Sequence, residues 1–190
     1  MLWPSLPTLL LAMIACSSAP ERGAAEAPQN TAADTGRPRT VRAKRGAWPP
    51  PGFPIVEGDQ QVSDTWRIHL PAQFTRRVEG GELVFWRPGL TIWLSGWNNE
   101  RGESQAARLG RIKDIASPRR YAERESTDGG LTRFSYRLRD DSDDGPVESV
   151  HGYILGDKDE LHLSIYFDDP ADEAVARRIV DSVSRPKPPR

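Results

Sequence analysis

The segment "ELHLSIYFDDPADEAVARRIVDSV", residues 160–183, decides the fold because its hydrophobic period changes part-way along it. Up to Phe167, apolar and polar residues alternate, which is typical of a strand with one buried side. Asp169 and Pro170 then stand where a helix N-cap and a first helical residue are expected. Apolar residues at helical spacing follow: Val175, Ile179 and Val183. The segment therefore predicts a strand followed by an amphipathic helix.

Alternation of the same kind recurs in stretches upstream of this segment. They are "WRIHL" (66–70), "FTRRVE" (74–79), "LVFWRP" (83–88), "LTIWLSGW" (90–97), "YAERES" (121–126), "LTRFSYRLRD" (131–140) and "ESVHGYILGD" (148–157). The pair Gly80-Gly81 between two of them is typical of a tight hairpin turn. Residues 102–116 have helical spacing instead, with an apolar stripe of Ala106, Leu109, Ile112 and Ile115. The order is four strands, a helix, four strands and a helix.

This order predicts an α+β fold in one domain over residues 61–184. We expect an antiparallel sheet of about seven to eight strands, with both helices packed over its apolar side. A domain of this length buries roughly two-thirds of the surface of its unfolded chain. It is therefore expected to be stable without disulfides.

The order of elements from "WRIHLPAQF" to "FDDPADEAVARRIVDSV", over residues 64–184, resembles the PsbP-like fold. Bacterial envelope lipoproteins of the DcrB type share that fold. The resemblance implies a PsbP-like sandwich. Because most members of the family are binding or assembly modules, it also implies a non-catalytic role. The N-terminal helix that is usual in the fold is replaced here by a proline-rich segment.

The N-terminal segment predicts export. Residues 6–15 are almost wholly apolar but too short to span a bilayer, which takes about 20 residues, so residues 1–15 are interpreted as a signal peptide. The sequence "AMIAC" ending at Cys16 resembles the lipobox of bacterial lipoproteins, which implies that Cys16 is lipidated and anchors the chain to a membrane. Export without a lipid, or a buried thiol at Cys16, are the alternatives. Since Ser17 is not acidic, the resemblance also implies the outer membrane, with the domain facing the periplasm.

Residues 16–60 are rich in Ala, Pro and Arg and predict a disordered linker. Within them, "RPRTVRAKR" (37–45) places five cations in nine residues. These cations suit either a solvated linker or attraction to anionic lipid headgroups or glycan. The proline-stiffened "WPPPGFP" follows, and its Trp48 and Phe53 are available to dock on the domain. Residues 185–190 form a proline-rich tail with no predicted role.

The overall composition argues against several classes of partner. The chain has 26 basic and 27 acidic residues, so no global field attracts nucleic acid. Beyond the signal segment, no apolar run is long enough for a transmembrane helix. Since Cys16 is the only cysteine, the domain has no internal disulfide and no cysteine-based metal site.

No catalytic residue, metal site or cofactor is predicted. His69, His151 and His162 stand singly on separate strands, which is typical of structural histidines. The run "DDSDDG" (140–145) partly matches a calcium-binding loop, but His151 occupies the position of the bidentate Glu and strands flank the loop. A charged hairpin turn is the favoured interpretation. No hydrolase, P-loop or zinc-protease motif is present.

The tryptophans mark the candidate binding face. Trp93 and Trp97 lie on the side of their strand opposite Ile92 and Leu94. If the strands pair in order, further polar and aromatic residues share that side: Arg133, Arg137, His151, Tyr153, His162 and Tyr166. The candidate face consists of Trp93, Trp97, Arg133, Arg137, Tyr153 and Tyr166. It is either an exposed binding surface or a second core layer beneath a helix or the linker.

We therefore expect a non-catalytic envelope lipoprotein that binds another envelope protein, as an immunity protein, an inhibitor or an assembly factor. The alternative is a lipoprotein that binds glycan or a small ligand through Trp93 and Trp97. A hydrolase is disfavoured because no nucleophile–base pair is visible in the sequence.

Overall fold

Eight antiparallel strands in one sheet form the centre of the computed structural model, which describes residues 48–142 and 145–186. The strands are β1 (Ile55–Gln61), β2 (Arg67–Glu79), β3 (Glu82–Arg87), β4 (Leu90–Asn98), β5 (Tyr121–Asp128), β6 (Leu131–Ser142), β7 (Gly145–Leu155) and β8 (Asp159–Phe167). The helices are α1 (Gln105–Ile115) and α2 (Glu173–Asp181), the latter preceded by a 3-10 turn at Pro170–Asp172. In space the strands follow the order β1-β2-β3-β4-β8-β7-β6-β5. The predicted α+β class and antiparallel sheet are confirmed.

The larger core lies on the side of the sheet that carries Leu163, here named the α2 face. Helix α2 lies over β2, β7 and β8 on this side. The helix and the residues after it bury four apolar side chains: Ala176, Ile179, Val180 and Val183. The helix approaches the sheet closely at Gly152, where an added Cβ would stand 2.7 Å from both γ-methyl groups of Val180. The glycine therefore lets α2 pack directly on the backbone of β7.

A smaller core lies on the opposite side, which carries Ser164 and is named the α1 face. There Leu109 and Ile112 of α1 pack on the apolar side of β6 and on β7; the β-strand members are Phe134, Tyr136, Leu138 and Leu155. The prediction that both helices cover one apolar side is therefore wrong. Phe134 pairs with Tyr153, and side chains alternate along each strand, so the apolar side of β6 points away from α2.

The first two strands also differ from the prediction. β1 lies within the predicted linker and pairs with β2. β2 is one continuous strand, although the sequence predicts two separate strands there, at 66–70 and 74–79. Pro71 lies inside β2, opposite a bulge between Val56 and Gly58 of β1, and β3 pairs with β2 only from Thr75 onward. The missing N–H of proline therefore costs no ladder hydrogen bond.

Helix α1 lies within the predicted helical stretch 102–116. The Ser104 side chain caps it by accepting a hydrogen bond from the Ala107 N–H at 3.2 Å. Its buried stripe differs from the predicted one, because Ile115 is exposed and Arg108 is buried. The helix packs over the last strands of the sheet and directs Arg108 toward the turn between β7 and β8.

Several predictions concern parts of the chain outside the described residues: the signal peptide 1–15, Cys16, residues 16–47 of the linker, Asp143 with Asp144, and residues 187–190. β6 and β7 pair as far as Ser142 and Gly145, as the hairpin interpretation of the acidic run predicts. Among the described residues, none of the helices has the length and apolar character needed to cross a membrane.

Candidate functional site

Ring and hydroxyl side chains gather on the α1 face in a group named here the aromatic–histidine strip: Tyr136, His151, Tyr153, His162, Ser164 and Tyr166. Strand register brings them together. His151 is paired with both Tyr136 and Ser164, and Tyr153 is paired with His162 in the next row. Because side chains alternate along each strand, all of them lie on one side of the sheet. Four of the residues predicted to share this side, His151, Tyr153, His162 and Tyr166, therefore lie on it.

The rings of the strip contact one another. Tyr153 and His162 stack with centroids 4.3 Å apart and planes 14° apart. Trp97 lies nearly parallel to His162, at 6.3 Å and 23°. At the other end, Tyr136 stacks on His151 at 5.1 Å. The contacts form a continuous series from the core under α1 to Trp97.

Hydrogen bonds hold the polar atoms of the strip. His151 Nδ1 lies 3.3 Å from His162 Nε2, and Ser164 Oγ lies 3.3 Å from both. Burial, followed by the neighbouring Tyr153 phenol, raises the pKa of Tyr136 above its ordinary value. The polar groups of the strip thus form hydrogen bonds with one another within the side-chain layer of the α1 face.

The two candidate tryptophans have different environments. Trp93 is 5% exposed and is paired with Val84 and Ser164 on the neighbouring strands. Trp97, two alternations further along β4, is 49% exposed. Trp93 therefore belongs to a core layer, and Trp97 belongs to the surface.

Arg133 and Arg137 do not share this face. They are paired with Ile154 and Val150, which places both on the α2 face. Arg133 donates to the Val183 carbonyl at 2.9 Å, and Arg137 donates to Glu173 of α2 at 2.6 Å. The prediction that both belong to the candidate face is wrong, because the apolar side of β6 packs against α1 and its other side faces α2.

The strip does not suit acyl transfer, although a serine lies beside two histidines. Ser164 is 1% exposed, and β8 is paired on both sides, so a substrate carbonyl reaches neither its Oγ nor a backbone oxyanion donor. His69 is on β2 and lies 2.8 Å from Asp59 of β1. Within residues 48–142 and 145–186, no group of three or more His, Cys, Asp or Glu is placed to hold a metal ion.

Sequence reasoning missed the buried Arg108, which is 1% exposed. Its guanidinium donates to the carbonyl groups of Gly156 and Asp159, the latter at 3.1 Å, and lies 3.4 Å from a Glu160 oxygen. These contacts attach α1 to the turn between β7 and β8. The helical pattern predicts a solvated arginine at this position, so no local signal reveals the contact.

A cleft of about 590 Å³ lies near the same turn, and Asp159 and Arg185 line it. The two form an ion pair, and Thr65 also donates to Asp159 at 2.6 Å. Burial alone would raise the pKa of Asp159, but the hydrogen bonds from Arg185 and Thr65 outweigh burial and hold that pKa below its ordinary value. Arg185 also stands 3.7 Å over the Trp66 ring. These charges are paired within the chain and attach its C-terminal segment to the domain.

Comparisons with known proteins address the fold alone. No family model matches the chain, and no curated protein matches it. A crystal structure from Bacteroides thetaiotaomicron VPI-5482 is similar, with a TM-score of 0.55 and 12% identity. The match covers 70% of this chain and 50% of that chain, so the present chain spans about half the length of the protein it resembles.

Proposed function

We propose that this chain is a non-catalytic lipoprotein of the bacterial envelope whose domain binds another envelope protein. Its role would be that of an immunity protein, an inhibitor or an assembly factor, on a PsbP-like domain of the DcrB type. The antiparallel sheet with two helices is consistent with that assignment. Lipidation of Cys16 is its anchor, and the outer membrane is the proposed location.

The observation that carries the proposal is the setting of Trp97. Its indole is 49% exposed, yet it lies against His162, which in turn stacks on Tyr153. A large ring held in this way loses little conformational entropy when a partner covers it. Tryptophan is also enriched among the residues that dominate protein interfaces. Trp97 is therefore the proposed anchor of the interface.

The glycan alternative has less support. It required Trp93 and Trp97 to act together as a stacking platform, and Trp93 is 5% exposed. On β4, a sugar ring would therefore stack on Trp97 alone, without the second aromatic ring that the stacking platform needs. A protein interface needs only one central anchor with surrounding contacts that exclude water.

Affinity capture from envelope extract tests the interface, with the full chain compared to Trp97→Ala. We expect one stoichiometric protein partner, with affinity lowered about tenfold or more by the substitution. Ile115→Ala is the matched control, because Ile115 is 74% exposed at the end of α1, and it should bind as the unmodified chain does. Equal capture by the Trp97→Ala chain would refute the assigned surface. Retention on peptidoglycan or lipopolysaccharide that depends on Trp97 would favour glycan binding instead.

The anchor is tested separately. Mass spectrometry of the chain produced in a bacterial host should find Cys16 at the N-terminus with a diacylglyceryl group and an added acyl chain. Cys16→Ser should move the protein from the membrane fraction to the soluble periplasm. An unmodified thiol on membrane-free protein would exclude the anchor and leave the interface proposal intact.

A further inference from the structure

Strand β5 forms an edge of the sheet. It is the last strand in the spatial order, and all of its residues are exposed. A bulge between Tyr121 and Arg124, with Ala122 at a φ of 52°, interrupts the first half of the strand. From Arg124 to Asp128 the pairing with β6 is regular. A bulge is one of the features that prevent another strand from pairing with an edge, and here it leaves the second half of β5 unprotected.

The turn after β5 sets the direction of the backbone groups along the strand. Gly129 and Gly130 have φ values of 57° and 75° and connect Asp128 directly to Leu131, the residue with which it pairs. A two-residue turn of this kind is closed by a hydrogen bond between the two residues that flank it. Asp128 therefore directs its backbone N–H and C=O groups toward β6.

The same direction recurs at every second residue. In an antiparallel pair, residues that exchange backbone hydrogen bonds alternate with residues that do not. Ser126 and Arg124 therefore bond to β6, as Asp128 does. Glu125 and Thr127 direct their N–H and C=O groups outward, past the edge of the sheet.

The charged side chains of this half-strand are complementary to themselves. Ser126 is paired with Arg133, which places Ser126 on the α2 face together with Arg124 and Asp128. Arg124 and Asp128 are exposed, and neither has an ion-pair partner in the part of the chain that the structure describes. When two copies of such a strand run antiparallel, the arginine of each can lie opposite the aspartate of the other, which is a favourable cross-strand pair.

We infer that two copies of this chain pair antiparallel through β5, about a two-fold axis at Ser126. Arg124 of each copy lies opposite Asp128 of the other, in a non-hydrogen-bonded pair whose Cα atoms are about 4.5 Å apart. Glu125 of each copy exchanges backbone hydrogen bonds with Thr127 of the other. The two sheets become one, and both copies use the same surface, as a two-fold dimer requires.

Charge selects this register over the two neighbouring registers that also suit the outward backbone groups. An axis at Glu125 would place two carboxylates directly opposite one another, which is destabilising. An axis at Thr127 would place Arg124 opposite Gly130, so neither arginine would have a cross-strand partner. The axis at Ser126 pairs the arginine and the aspartate of both copies.

The joined sheet also leaves room for the helices. The two β6 strands would be three strand separations apart, which is about 14 Å. Helix α1 packs on β6 and β7, and packed helices need only about 8–10 Å between their axes. Because opposite residues share a side of the sheet, α1 of both copies fits on one side without overlap.

Sedimentation equilibrium of the full chain carrying Cys16→Ser tests the dimer, since this change removes the single thiol and any lipid attached to it. We expect a monomer–dimer equilibrium with a Kd of about 10–100 µM, because the interface is small. Arg124→Asp and Asp128→Arg should each raise Kd about tenfold or more, since each places like charges opposite one another twice in the dimer. The double variant should restore Kd to within about threefold. Arg76→Asp is the matched control, because Arg76 is an exposed arginine on β2, and it should leave Kd unchanged.

Single cysteines introduced into the Cys16→Ser chain test the register. Ser126→Cys should form a disulfide-linked dimer under mild oxidation, because Cα atoms about 4.5 Å apart suit a disulfide. Glu125→Cys and Thr127→Cys should cross-link far more slowly. In those variants each thiol lies two residues along the ladder from its counterpart, which is too far for a disulfide.

Three results would overturn the inference. The first is a monomer at every concentration up to about 0.5 mM in the Cys16→Ser chain, which decides the matter even if a variant fails to fold. The second is a Kd that neither single charge reversal changes, or a folded double variant whose Kd stays raised. The third is faster cross-linking at position 125 or 127 than at position 126. None of these results bears on partner binding at Trp97, which lies on β4 in the middle of the sheet.

Discussion

The two faces of the sheet are built from the same strands but differ in chemistry. The α2 face carries the larger, mostly aliphatic cluster beneath one helix. The α1 face carries a smaller cluster beneath α1 and, beside it, the hydrogen-bonded aromatic–histidine strip. When helices lie on both sides of a sheet, neither side of a strand faces only water. The alternating side chains of a strand then enter two separate cores, one on each side of the sheet, rather than a core on one side and solvent on the other.

The largest expected effect comes from replacing one buried isoleucine on each face and comparing the two losses of stability. Ile179→Ala on α2 should lower the free energy of unfolding by about 2–5 kcal/mol, because the cavity is enclosed by the larger cluster. Ile112→Ala on α1 should cost about 2 kcal/mol, at the low end of that range, because its cluster is smaller and lies nearer the surface. Urea denaturation of both variants measures the two values. Equal losses would show that the faces contribute alike.

Arg108 tests how α1 is held. Arg108→Met removes the buried donors to Gly156 and Asp159 and should cost about 1–3 kcal/mol. Arg111→Met on the same helix is the control, since its ion pair with Glu103 is partly exposed and is worth about 0–1 kcal/mol. Thermal unfolding by circular dichroism compares the two. A loss for Arg111→Met as large as that for Arg108→Met would contradict the assigned role of the buried arginine.

Gly152 tests the contact between α2 and β7. Gly152→Ala should destabilise by about 1–3 kcal/mol, because the added methyl group overlaps Val180. Gly110→Ala, in α1, has no atom within 4 Å of the added Cβ and should stabilise by about 0.5–1 kcal/mol. Chemical denaturation gives both signs directly. A neutral Gly152→Ala would mean that α2 moves away from the sheet at no cost.

The smallest effect concerns the pH dependence of stability. The folded pKa of Asp159 lies below its unfolded value of about 3.9, so the carboxylate contributes stability above that value and loses the contribution as pH falls through the folded pKa. Asp159→Asn should therefore lower stability at neutral pH and reduce the loss below about pH 4. Thr65→Val should do the same more weakly, because it removes one hydrogen bond and leaves Arg185 in place. Melting temperatures across an acid pH series provide the measurement, and parallel curves for all three proteins would argue against the pairing.

Much of the fold was predictable, and the candidate site was predictable in part. The strand alternation, the hairpin at Gly80-Gly81 and the helix within residues 102–116 depend on local sequence, and the structure confirms each. The grouping of Trp97, Tyr153 and Tyr166 on one side of the sheet followed from alternation plus the correct pairing of neighbouring strands. Strand β1 was not predicted because its residues are mostly polar. Its pairing with β2 stabilises it.

The sequence by itself determined the elements of this protein and their order, because hydrophobic period and turn chemistry act over a few residues. The tertiary structure alone decided the side of the sheet to which each alternating set belongs. That choice placed Arg133 and Arg137 with α2, buried Trp93 and left Trp97 half-exposed. The physical reason is that a strand has two equivalent sides until a helix covers one of them, and the covering helix is distant in sequence.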